Sequence, residues 1–167
     1  MKHRSIALLL VACAPYAPTS QSAEHFGAAT YAYELAQRAN FVAQLEHDYL
    51  VSIEVASGEE LFDLYRNYNR LIGTWVQVDF LQALLDDVVD DARSDDATRS
   101  TLRDHACFVR RELDSAIAGF EENAIETPHP LRSRLNEDSH LLLSNIRITV
   151  HRLLGDMGVD TCVASTR

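Results

Sequence analysis

From Leu35 to Met157 the apolar side chains recur three or four positions apart, and nowhere do they alternate with polar ones as a half-buried strand requires. A chain patterned in this way must bury helical stripes against one another. Four segments carry the pattern. Leu35, Ala39, Val42, Leu45, Tyr49 and Ile53 mark the first. Leu61, Leu64, Tyr68, Leu71, Trp75, Val78, Leu85 and Val89 mark the second, close to a strict heptad. Leu102, Ala106, Val109, Leu113, Ala116 and Phe120 mark the third, and Leu135, Leu142, Ile146, Leu153 and Met157 the fourth.

Helix punctuation separates the segments. Ser57-Gly58-Glu59-Glu60 has capping-box spacing, and Ser94-Asp95-Asp96 places acids at a helix start. Thr127-Pro128-His129-Pro130 stops one helix and begins the next. Helices of roughly 25 to 35 residues joined by short connections predict an all-α fold, an up-down-up-down antiparallel four-helix bundle about 40 Å long. The expected single domain spans residues 24–167.

Three cysteines are present: Cys13, Cys107 and Cys162. An antiparallel pairing of the last two helices puts Cys107 level with Ile148, whereas Cys162 lies past the final helix. Gly155 and Gly158 allow the tail to turn back, and a few extended residues reach about 15 Å. A Cys107–Cys162 disulfide pinning the tail over the third helix is therefore expected in an oxidising compartment. No CxxC or CxxCH spacing occurs, so a zinc ribbon, a thioredoxin-type site and a c-type haem are not expected.

The compartment follows from the N-terminus. Lys2, His3 and Arg4 precede an apolar run from Ile6 to Ala14, the layout of an export signal too short to span a bilayer. Residues 1–23 thus read as signal and tether. Two processing routes fit. Leu10-Val11-Ala12-Cys13 resembles the lipobox of bacterial lipoproteins, which makes Cys13 a lipidation candidate. Cleavage near Ser22 or Ala23 would instead discard Cys13. Either route predicts a periplasmic protein, soluble or lipid-anchored at the outer membrane.

The chain carries 15 basic and 25 acidic residues, net −10; losing Lys2 and Arg4 with the signal leaves 13 against 25, or −12. That acidic excess leaves no basic footprint to neutralise nucleic-acid phosphates or to grip an anionic bilayer, so membrane contact is expected only through a lipid anchor. The balance suits a basic protein partner, a cation or plain solubility.

Several constellations invite chemistry. Glu137-Asp138-Ser139-His140 has the Glu-x-x-His spacing of di-iron bundles, but it stands alone, and Glu137 and His140 fall on the solvent side when Leu142 faces the core. Asp86, Asp87, Asp90 and Asp91 form an acidic cluster at a helix C-terminus, where Asp90 can pair with Arg99 and Asp86 with Arg103. Arg38 interrupts an apolar stripe level with Asp79 and Glu112, which predicts a polar layer in mid-bundle. Finally, Val76, Phe80 and Leu84, with Gly73 one turn earlier and Phe62 beyond, form an apolar ridge opposite the second helix's core stripe, the mark of a partner interface.

No GxSxG, Gly-rich phosphate loop or HExxH is present. The expectation is an exported, non-enzymatic bundle without a cofactor or metal, acting by protein–protein binding as an inhibitor, immunity protein or envelope adaptor does, or by self-association. The alternative is a periplasmic bundle that senses a small ligand or metal through the polar layer or the aspartates.

Overall fold

In the computed structural model, residues 21–90, 95–122 and 130–162 are described, and among them there are five helices and no strand. They are α1 (Gln21–Ala36), α2 (Ala39–Val55), α3 (Glu59–Asp90), α4 (Asp96–Glu122) and α5 (Pro130–Asp156). The export segment with Cys13, and the Thr127-Pro128-His129 breaker, lie outside the described residues.

Five helices make four arms because the first arm is broken. Gln37 and Arg38 form a turn in which the Arg38 N–H donates to the Leu35 carbonyl at 2.9 Å, and the Phe41 and Val42 N–H groups both donate to the Arg38 carbonyl at 3.0 Å. The half-buried Arg38 takes the inward place expected of Ala39, which is exposed. Neither Pro nor Gly marks this break, so residue spacing carries no sign of it.

The arms pack side by side: α1 and α2 lie against α3 and α5, and α4 lies between α3 and α5. Side chains of successive arms meet at matching heights, the late part of one beside the early part of the next and the early part beside the late. The Tyr68 hydroxyl donates to Glu46 at 3.1 Å across α2–α3. Arg70 reaches Gly119 and His105 reaches Gln77 across α3–α4. His140 meets Glu121, and Arg147 meets Asp114, across α4–α5. The Tyr31 hydroxyl on α1 donates 2.5 Å to Asp156 at the end of α5. Arg152 adds two bonds of 3.2 Å to Glu34 and lies over the Tyr31 ring.

The buried seam of α3 is a strict heptad: Leu64, Asn67, Leu71, Thr74, Val78, Leu81, Leu85 and Val88. It differs from the apolar stripe read from sequence. Tyr68 and Trp75 are half-buried flanks, while the polar neighbours Asn67 and Thr74 point into the core. In α4 every expected stripe residue is buried. In α5 Leu135, Leu142, Ile146 and Leu153 are buried as expected, joined by Leu143, Val150 and Leu154.

Local chemistry sets the helix ends. Asp95 caps α4: its Oδ1 accepts from the Thr98 N–H at 2.8 Å and from the Thr98 hydroxyl at 2.9 Å. Those bonds hold the Asp95 carboxyl below the usual carboxylate range. Glu60, expected to turn back on Ser57, meets the Arg132 guanidinium at the start of α5. The chain leaves α5 through a Schellman turn. The Val159 N–H reaches the Leu154 carbonyl and the Gly158 N–H the Gly155 carbonyl, each at 2.9 Å, with Gly158 at φ 70°. That left-handed residue turns the tail back, and Cys162 meets Cys107 in a disulfide with Cα atoms 5.3 Å apart. Among the described residues no helix is long and apolar enough to cross a membrane.

Candidate functional site

The outward face of α3 exposes apolar side chains at Phe62 and again around Val76 and Phe80, with exposed Arg66 and Asn69 between them. Phe62 is 71% exposed, Val76 55% and Phe80 52%. Gly73 is exposed, and nothing stands within 4 Å of where its side chain would begin. Leu84, the fifth residue expected in this ridge, is half-buried and packs against the core. The ridge exists because α3 has two apolar stripes, and the bundle consumes only one.

From Phe80 the apolar surface continues onto α4. The His105 ring stands edge-on to Phe80 with centroids 4.7 Å apart, and Phe108 follows at 5.8 Å from His105. A 3.0 Å bond between His105 Nε2 and the Gln77 carbonyl fastens this row across the α3–α4 seam. His105 and Phe108 were not legible as partners of the ridge, since they lie on another helix and only the α3–α4 register brings them there.

The acidic cluster is a solvated helix end. Asp86, Asp87 and Asp90 are exposed, and Asp91 lies outside the described residues. Among the described residues no ion pair joins Asp86 to Arg103 or Asp90 to Arg99. Among the described residues, no group of three His, Cys, Asp or Glu side chains could hold a metal ion. Arg38 sits in the α1–α2 turn, Asp79 and Glu112 are exposed, and no hydrogen bond or ion pair joins the three.

A different polar layer crosses the core. Asn67 Nδ2 donates 3.0 Å to Asn136 Oδ1, and Asn136 Nδ2 donates 3.2 Å to the Phe120 carbonyl. Arg70 Nη1 donates to Asn67 Oδ1 at 3.0 Å and to the Gly119 carbonyl at 2.8 Å, while its guanidinium lies 5.5 Å from the Phe120 ring centre. Beside them the Tyr49 hydroxyl lies 3.3 Å from the Leu135 carbonyl and 3.2 Å from Ser139 Oγ. Burial pushes the Tyr49 hydroxyl up to about 12. All four arms contribute, and apart from the Arg70–Asn67 bond within α3 every bond depends on one relative height of the helices. Satisfied buried polar groups of this kind discriminate against slipped registers, since a slip would orphan each of them.

No protein-family model matches the chain, and no curated protein or solved structure matches it.

Proposed function

We propose that this is an exported, non-enzymatic protein that acts by binding another protein through the outward face of α3. Its arms, as an up-down-up-down antiparallel bundle with the tail held to α4 by the Cys107–Cys162 bridge, serve as a stiff platform for that face. The carrying observation is the exposure of Val76 and Phe80 along one stripe of a helix whose opposite stripe already fills the core. Each Å² of apolar surface that a partner covers is worth about 25 cal/mol, so the exposed Val76 and Phe80 side chains favour a docked partner. The basic and apolar N-terminus supports delivery outside the cytoplasm, where a disulfide is stable.

Phe80→Asp tests this reading. Co-purification from the native envelope should lose the partner with the variant, while its melting curve stays close to that of the parent chain. Retention of the same partner by the folded variant would remove the reading.

A further inference from the structure

We propose that the occupant of the ledge formed by Val76, Phe80, His105 and Phe108 is a positively charged amphipathic segment of a partner protein, with Arg or Lys set beside apolar residues; this rests on the protein-binding reading above. The rings supply apolar area and aromatic faces, which attract guanidinium and ammonium groups. At their border carboxylates outnumber the one exposed guanidinium on the same side of α4, that of Arg111. Asp104 and Glu112 stand four residues before and four after Phe108, on the same side of α4, and both are exposed. On α3, Asp87 lies seven residues beyond Phe80 and is exposed too. Among the described residues none of these three is held in an ion pair or side-chain hydrogen bond, so each is available to a cation.

Charge also decides against the other occupants. A second copy would bring the same carboxylates face to face between chains that each carry −10. Like-charge juxtaposition disfavours association. An anionic bilayer surface meets the same repulsion. A basic segment instead meets apolar area at the centre of the ledge and opposite charge at its margin, the layout that gives fast, salt-sensitive binding.

The test uses the full mature chain and two synthetic helical peptides. One carries leucine on one face and arginine on the other; its counterpart carries glutamate in place of arginine. Binding is followed by calorimetry and by backbone amide NMR. The Leu/Arg peptide should bind at low salt, shift the amides around Val76, Phe80, His105 and Phe108, and weaken as salt rises. The Asp104→Asn, Glu112→Gln double variant and Phe80→Ser should each weaken it about tenfold while melting like the parent chain, in proportion to lost charge or apolar contact. The Leu/Glu peptide should not bind. Equal binding of both peptides, absence of binding, shifts centred on Asp86 to Asp90 instead of the ledge, or self-association in the ultracentrifuge that Phe80→Ser abolishes would each overturn the proposal. If no basic peptide binds but Phe80→Asp still loses the native partner, only the charge assignment falls. If Phe80→Asp leaves that association intact, the protein-binding reading falls with it.

Discussion

The guanidinium of Arg70 occupies the space into which a side chain on Gly119 would project, and its Nη1 donates 2.8 Å to the carbonyl of that same glycine. Gly119 is buried in the last turn of α4, and the close approach of Arg70 accounts for a glycine inside a helix, where it is a poor former. Gly119→Ala should displace Arg70, break its bonds to Gly119 and Asn67, and destabilise the domain by about 1–2 kcal/mol. In an Arg70→Ala background the same change should be neutral or stabilising, because only the helix-propensity gain of roughly 1 kcal/mol remains. Urea unfolding of the four proteins in this cycle measures the coupling, and additive effects would contradict it.

Asn67 and Asn136 answer each other across α3 and α5. Asn67→Leu should destabilise by about 1–3 kcal/mol, because it strands the Asn136 side-chain oxygen in the core and takes one acceptor from Arg70. Adding Asn136→Leu should recover part of that loss. The same double variant should populate more than one packing, seen as broadened amide resonances.

The raised pKa of Tyr49 gives the fold an alkaline limit. An unfolded tyrosine ionises near pH 10, whereas Tyr49 in the fold ionises at about 12 because burial opposes its charged form. Its contribution is complete below pH 10 and is lost as pH rises towards 12. Tyr49→Phe should lower stability by about 1 kcal/mol at neutral pH, through the lost hydroxyl bonds, yet flatten the decline above pH 10. Tyr31, also pushed up to about 12 by burial and by Asp156, leaves a residual alkaline slope. Denaturant midpoints measured from pH 7 to 12 separate the variant from the parent chain.

Reduction should loosen the tail. The Cys107–Cys162 bridge spans 55 residues, and closing such a loop is worth about 4 kcal/mol in the chain-entropy account. A reductant should lower the melting temperature, and alkylation of the unfolded, unreduced mature chain should label neither cysteine. Labelling of both would show the bridge absent.

Cys13 should never be found as a free thiol. Mass spectrometry of the mature N-terminus should show either acylated Cys13 or a start near Glu24. An intact Met1 would end both processing routes.

The chain's local pattern was enough for its last three helices. Apolar spacing located α3, α4 and α5, Asp95 announced a helix start through a side chain that can cap it, and Gly158 announced the turn that carries Cys162 back to Cys107. Helical periodicity is a property of neighbouring residues, so it survives in a linear reading. The same periodicity exposed the second apolar stripe of α3, with Val76 and Phe80 on it.

Tertiary packing decided which polar residues go inside. Asn67 and Thr74 look like solvent-side positions beside Tyr68 and Trp75, yet α3 turns them inward because Asn136 and the Arg70 guanidinium wait there to satisfy Asn67. Arg38, Asp79 and Glu112 share a level in a straight bundle, but the turn at Gln37 and Arg38 breaks the first arm and the three do not join. His105 and Phe108 joined Phe80 in one exposed row only when α4 settled against α3 at one height. A sequence records which face of a helix is apolar; the rotation and height of that helix against its neighbours depend on contacts between residues far apart in the chain, and those set which polar group finds a partner and which ring stays in water.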